Sequence, residues 1–153
     1  MNAILKAHLA LNVSNIDRSR SFYERMLGIA PLKVRPGYVK FDVTDPPLNL
    51  TLNASAGNVH GGALSHLGLQ VAETADVIQL RDRWQQAGLL PRDEMQTNCC
   101  YALQDKAWVT DPDGNEWEVF TVLSDVEPAE EDACVTNSCC TTSPSQSLTQ
   151  ISL

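Results

Sequence analysis

His8-Leu9-Ala10-Leu11-Asn12-Val13 returns further along the chain as His66-Leu67-Gly68-Leu69-Gln70-Val71. In both strings Leu, Leu and Val take alternate positions, and His, a small residue and an amide fill the positions between. Period two is the pattern of a half-buried strand, because successive side chains point to opposite faces of a sheet. The self-match reads as one structural unit used twice, each copy opening on a strand.

The segments after the two strands match as well. After the first come Ser14-Asn15-Ile16-Asp17, then Phe22, Tyr23, Met26 and Leu27 at helical spacing, closed by Gly28. Asn15 can cap that helix, Asp17 suits its positive start, and Gly28 supplies a left-handed stop. After the second, Thr74 is the expected cap, and Val77, Leu80, Arg81 and Trp84 lead to Ala87-Gly88. Each helix gives way to short extended runs: 32–35, 38–43 and 48–53 in the first unit, a weak run near Arg92, then 107–110 and 116–122 in the second. The pattern is βαβββ twice, an α+β domain over residues 1–123 with modules at about 4–54 and 63–123. One such unit leaves a sheet face uncovered, so two are expected to join and form a cup lined by the imidazole and amide positions. Asp111-Pro112-Asp113-Gly114 falls between two strands and reads as a hairpin turn. From residue 124 the texture changes to acidic, then to Ser, Thr, Asn and Gln, with Cys134 and Cys139-Cys140. That composition predicts a mobile tail over 124–153, since it offers little apolar surface to offset ordering entropy.

At 153 residues, 43% hydrophobic and 20% charged, the chain can bury one ordinary globular core. A net charge of -8 repels a phosphate backbone, which argues against nucleic acid as a partner. No apolar run is long enough for a bilayer, and the first residues lack the pattern of a signal peptide, so no membrane partner and a cytoplasmic address are expected. Five cysteines, four of them in the adjacent pairs Cys99-Cys100 and Cys139-Cys140, do not form a disulfide framework, which staples distant segments. In a reducing compartment they are free thiols open to a soft ligand.

A lone histidine in a strand is more often a hydrogen-bonded surface or core residue than a ligand. Two at equivalent positions of a repeat, both facing the cup, point the other way. The closing strand Glu116-Trp117-Glu118-Val119-Phe120 adds a carboxylate, and Glu118 lies deeper in it than Glu116. Two imidazoles and one carboxylate suit non-haem Fe(II), with positions left open for substrate and oxygen. The expected ligands are His8, His66 and Glu118. His60 has no repeat partner and is left out.

The strand 8–13, the helix with Phe22-Tyr23 and Leu27-Gly28, and Asp111-Pro112-Asp113-Gly114-Asn115-x-x-Glu118 resemble the vicinal oxygen chelate superfamily over residues 4–123. That superfamily includes glyoxalase I, extradiol dioxygenases, fosfomycin-resistance transferases and metal-free antibiotic-binding proteins. The resemblance implies ligands on the first and last strands of the units, which matches His8, His66 and Glu118. Glyoxalase I typically adds a ligand from the last strand of the first unit, whereas Leu48-Asn49-Leu50-Thr51-Leu52-Asn53 carries no acid. A three-ligand site is expected instead.

Asn98-Cys99-Cys100-Tyr101 reads as a loop over the cup, flanked by turn-like residues. Two adjacent thiolates can chelate a thiophilic centre such as trivalent arsenic or cadmium. Cys99-Cys100-Tyr101-Ala102-x-Gln104-Asp105-Lys106-x-Trp108-Val109-Thr110, with Trp117-Glu118-Val119, Arg35-Pro36-Gly37-Tyr38 and Pro46-Pro47-Leu48, is similar to a narrower group. These are the organoarsenical carbon–arsenic lyases, often labelled cadmium-induced-protein-like. Some of them have Gln where this chain has His8. The resemblance implies Fe(II)-dependent, O2-consuming cleavage of the carbon–arsenic bond in trivalent organoarsenicals, with Cys99 and Cys100 holding arsenic at the catalytic centre. Lys106 could stabilise developing negative charge, but a solvated lysine is the simpler expectation, and Trp108, Trp117 and Phe120 are read as core or pocket wall. Two other readings compete. A Mn(II) thiol transferase of the fosfomycin-resistance type gives the cysteine pair no role, and a non-catalytic arsenic- or cadmium-binding protein leaves the metal triad idle. The sequence leaves open whether the modules close within one chain or by exchange in a homodimer.

Overall fold

Asn15 starts the first helix as its sequence predicts: its side chain accepts a hydrogen bond from the Arg18 amide at 2.9 Å. Gly28 ends that helix at φ 71°, a left-handed conformation that glycine adopts without a Cβ clash. In the computed structural model, which describes residues 5–57, 64–99 and 102–125, this helix follows the first strand of a βαβββ unit. The first unit comprises β1 (Ala7–Val13), α1 (Ile16–Leu27), β2 (Lys33–Arg35), β3 (Tyr38–Val43) and β4 (Leu48–Ala54). The second comprises β5 (Leu67–Gln70), α2 (Thr74–Gln86), β6 (Arg92–Cys99), β7 (Ala102–Thr110) and β8 (Glu116–Asp125). The repeat predicted from the self-match is present, and the architecture is α+β. His60, Cys100, Tyr101, the side chain of Cys99 and the tail cysteines Cys134, Cys139 and Cys140 lie outside the described residues.

Each unit makes its own four-stranded sheet, ordered β1-β4-β3-β2 in one and β5-β8-β7-β6 in the other. The first and last strands of a unit run parallel and the remaining pairs antiparallel. In β1, Val13 is fully buried and Leu9 and Leu11 pack on the core, while His8, Ala10 and Asn12 are exposed. The alternation seen in the sequence is therefore the alternation of the two sheet faces.

One apolar core serves both units. Phe22, Tyr23, Met26, Phe41, Leu50 and Leu52 of the first pack in one cluster with Val77, Trp84, Val109, Trp117 and Val119 of the second. Trp84 donates its indole N–H to the Met26 carbonyl at 2.9 Å, and the Tyr23 and Trp117 rings meet edge to face at 6.1 Å. The units thus join through their helix-bearing faces, and both histidine-bearing faces turn away from the shared core.

The turn at Asp111-Pro112-Asp113-Gly114 does more than reverse the chain. Gly114 takes φ 89° and its amide bonds back to the Asp111 carbonyl at 3.1 Å, as a hairpin turn requires. The Asp111 carboxylate also accepts from the Tyr23 hydroxyl at 2.7 Å and from the Asn115 amide at 2.8 Å. The Asp113 carboxylate accepts from the Ser14 amide at 3.1 Å, and from the hydroxyls of Ser14 and Ser19. The second module thus clasps the start of α1. Burial, and then the Asp111 charge, push the Tyr23 phenol well above its ordinary range, so it stays a donor.

Two local expectations are corrected. Thr74 is not the cap of α2; Glu73 holds that position without a side-chain cap bond, and the Thr74 hydroxyl donates to the buried Asp105 carboxylate. A charged acceptor outcompetes the weaker local bond to the helix start. The weak run near Arg92 is a full strand of eight residues, β6, and Cys99 at its end pairs with Ala102 rather than standing in a loop. β6 is an edge strand with polar residues on both faces, which hides its periodicity. A register shift between Glu94 and Thr97, with Gln96 at φ 52°, interrupts it further.

Candidate metal centre

β8 lies between β5 and β7, so a side chain in its middle has neighbours on both sides. Glu118 pairs with Gly68 of β5 and with Trp108 of β7, and is 5% exposed. Its Oε1 lies 3.5 Å from His66 Nε2. Two of the three expected ligands therefore meet. Glu116, the alternative on the same face, accepts a hydrogen bond from the Thr110 hydroxyl at 2.7 Å, closer to the strand's start.

Room for the carboxylate comes from Gly68. A Cβ there would stand 3.0 Å from Glu118 Cγ and 3.1 Å from Oε1, a tight contact that the glutamate would have to relieve by shifting. In the sequence this glycine reads only as a small residue of the repeat. The spacing by which it faces a mid-strand glutamate was the available signal.

Both histidines are anchored through Nδ1. His8 Nδ1 lies 3.1 Å from the Asn49 carbonyl, which can only accept, so Nδ1 carries the proton and the Nε2 lone pair is left for a ligand. His66 Nδ1 lies 3.0 Å from the Ser65 hydroxyl, which can donate or accept, and its Nε2 faces Glu118. A ring nitrogen anchored on one side with the other presented is the usual support of a metal-binding histidine. The donor set fits a divalent metal. His8, however, sits on the other sheet, and among the described residues no three His, Cys, Asp or Glu side chains converge.

Lys106 is not a solvated lysine. It is 4% exposed, on the β7 side of Glu118, with Nζ 3.2 Å from Oε2 and 5.5 Å from the centre of the Trp108 ring. The alternation Gln104, Lys106, Trp108 along β7 places it on the Glu118 face, whereas its neighbours Asp105 and Ala107 face the helix side. Trp108 also packs edge to face on His66 at 5.3 Å, so one ring braces both a candidate ligand and the buried cation. Asp105, which the sequence offers only as part of a motif, accepts from the Gln96 amide at 2.7 Å and pins the irregular point of β6 before Cys99.

The model of the Glyoxalase/Bleomycin resistance protein/Dioxygenase superfamily matches residues 6–119. The chain belongs to that superfamily. It is 44% identical over 138 residues to a Bacillus subtilis (strain 168) protein named probable trivalent organoarsenical cleaving enzyme, covering 90% of this chain and 92% of the relative. A Thermomonospora curvata protein named trivalent organoarsenical cleaving enzyme is 42% identical, over 86% of this chain and 88% of its own length. The cadmium-induced protein CadI of Mycobacterium tuberculosis (strain ATCC 25618 / H37Rv) is 44% identical, over 80% and 79%. Among solved structures, a glyoxalase/bleomycin resistance protein/dioxygenase from Alicyclobacillus acidocaldarius superposes with a TM-score of 0.64 at 17% identity, covering 78% of this chain and 92% of that one. At that identity the likeness speaks for the fold alone. Among the described residues no helix is long and apolar enough to cross a membrane.

Proposed function

We propose that this protein cleaves the carbon–arsenic bond of trivalent organoarsenicals, using Fe(II) held by His66 and Glu118 together with His8. The observation that carries the metal half is the pairing of half-buried His66, through Nε2, with the buried Glu118 Oε1 at 3.5 Å, each histidine anchored through Nδ1. The substrate half rests on relatives named for organoarsenical cleavage, at 42–44% identity over most of both chains, and on Cys99-Cys100.

His8 stands on a sheet edge, since β1 and β5 are the outer strands of their sheets. A second copy could lay its β1 edge beside β5 and bring its His8 toward His66 and Glu118. We take the working enzyme to be such an exchanged homodimer. The isolated chain cannot group the three ligands as described, and unpaired strand edges are sites where another chain adds on.

The reaction balances without a further reductant: methylarsonous acid plus O2 gives arsenous acid plus formaldehyde. Fe(II) would supply the one-electron and oxygen chemistry that protein side chains lack. The chain's own part is to bind and orient. Cys99 and Cys100, as thiolates, would hold arsenic at the end of β6, fixing the carbon–arsenic bond beside the metal centre and converting an encounter into a positioned reaction. His66 Nε2 and Glu118 Oε1 would face the metal. Burial of Glu118, Lys106 and Trp108 keeps bulk water from that wall.

Aerobic incubation with methylarsenite and Fe(II), followed by arsenic speciation, tests the proposal. Arsenite and formaldehyde in equal amounts, lost without iron or without O2, are expected. Arsenical bound but unchanged would make the protein a sequestering one. Cys99→Ser or Cys100→Ser should weaken arsenical binding and leave iron loading unchanged.

A further inference from the structure

The position of Glu118 in the middle strand divides its two oxygens between two neighbours. Oε1 leans over β5, above the space left by Gly68 and 3.5 Å from His66 Nε2. Oε2 faces β7, where Lys106 Nζ stands at 3.2 Å. That approach is an ion pair off the hydrogen-bonding axis, because Oε2 accepts no aligned hydrogen bond. Coulomb attraction depends on distance rather than alignment, so the pair still fixes the oxygen. Lys106 itself is held in place: it is 4% exposed, its ammonium lies 5.5 Å from the Trp108 ring centre, and a buried ammonium gives up its anion only at high cost.

We propose that Lys106 is a positioning residue of the metal centre, holding Oε2 so that Glu118 meets the metal through Oε1 alone. This role rests on the proposed metal site. A carboxylate free at both oxygens can chelate a divalent cation and fill two of its positions. With one oxygen committed to Lys106, Glu118 fills one, and the position it leaves stays open for an exogenous ligand. The cation and the metal then work on opposite sides of one carboxylate instead of competing for it.

The two roles differ in coordination mode. Removing a buried cation from beside Glu118 eases the approach of a dication in either case, but only the positioning role changes how many oxygens Glu118 gives. In the full chain loaded with Co(II) as a spectroscopic probe, the d–d absorption should lose intensity in Lys106→Met, as a chelating Glu118 raises the coordination number. Lys106→Arg should restore most of the intensity. An unchanged spectrum in Co(II)-loaded Lys106→Met would overturn the assignment. Should Lys106→Met fail to fold, the wild-type protein still decides. The carboxylate infrared bands that shift on metal addition, and vanish in Glu118→Ala, should show the wide splitting of a one-oxygen ligand. The narrow splitting of a chelate would overturn the proposal. Wild-type protein that takes up no divalent metal would remove the metal reading first, and this role with it.

Discussion

Thr51 and Glu118 hold equivalent places in the two modules. Ala10 pairs with Thr51 across β1 and β4 as Gly68 pairs with Glu118 across β5 and β8. In the first module the Thr51 hydroxyl turns to the Leu9 carbonyl at 3.5 Å, and a methyl at Ala10 is tolerated opposite it. In the second, a carboxylate stands there and the facing residue has no Cβ. The same backbone thus carries one wall of amides and hydroxyls with a single histidine, and another with His66, Glu118 and a buried Lys106. A duplicated fold has supplied the geometry twice and the charge once. The first wall carries His8; the second carries the acid and, 3.2 Å from it, a buried cation.

The largest effects should come from breaking the second wall. His66→Ala and Glu118→Ala are each expected to abolish turnover and to weaken Fe(II) binding beyond the ~10–100-fold typical of losing a supporting residue. Thermal unfolding should be little changed in His66→Ala, whose half-exposed ring lies outside the apolar core, whereas Glu118→Ala takes a carboxylate away from the buried Lys106 ammonium and should lower the midpoint. His8→Ala should also inactivate. Mixed under exchange, His8→Ala and Glu118→Ala chains form heterodimers with one intact site and one doubly damaged site. Recovered activity on mixing is expected. If none returns, while each variant alone still dimerises, the exchanged arrangement is wrong.

Next in size is the glycine that distinguishes the walls. Gly68→Ala puts a Cβ 3.0 Å from Glu118 Cγ and 3.1 Å from Oε1, so the oxygen that faces His66 has to give way. Fe(II) affinity should fall by roughly 10–100-fold, as for other residues that orient a ligand. The matching change in the first module, Ala10→Gly, should leave affinity alone. Calorimetric titration of both variants makes the comparison, and equal losses would erase the distinction between the walls.

Much of this was legible in the sequence. The repeat of 8–13 in 66–71 carried the fold, because alternation in a strand maps directly onto sheet faces. It also put His8 and His66 at equivalent places, and strand depth favoured Glu118, which lies beside His66. Lys106 escapes a sequence reading because a lysine that follows Gln104-Asp105 looks solvated. Only the sheet order, which sets β7 beside β8, shows that its neighbour is Glu118. β6 was hidden by its polar edge character, and the second role of Asp111 and Asp113 by the strength of the turn signal. Contacts between modules leave no local pattern. Tyr23 and Asp111 are far apart in the chain, and nothing near either announces the other.

That inter-module bond gives the third prediction. Tyr23→Phe removes the donor to Asp111 and the acceptor for the Trp117 indole at 3.1 Å, leaving both buried groups short of a partner. Stability should drop by about 1–3 kcal/mol in denaturant unfolding. Metal affinity in the folded protein should stay unchanged, because the clasp lies on the helix side of the sheets. A coupled loss of both would mean that the modules' mutual placement shapes the metal wall, which the separate sheets argue against.

The smallest effect compares the two helix starts. In α1, Asn15 caps the helix with its own side chain, and the bond is local and exposed. In α2 the cap position has no side-chain bond, and Thr74 instead ties the helix to Asp105 on β7. Asn15→Ala should therefore cost about 1 kcal/mol, as cap removals do. Thr74→Ala leaves a buried carboxylate with one donor fewer and should cost more, since a buried charged acceptor depends on its hydrogen bonds. The order of the two unfolding midpoints, measured side by side, is the check. If Asn15→Ala proves the more damaging, the start of α1 carries more than its cap. The contacts that bring Asp113 to Ser14 next door are then the place to look, through Ser14→Ala and the double variant. If the two costs add, cap and clasp are independent and the first module's helix is held at two separate points. If they do not, the clasp depends on the cap, and the second module reads the geometry of the first through a single turn of chain.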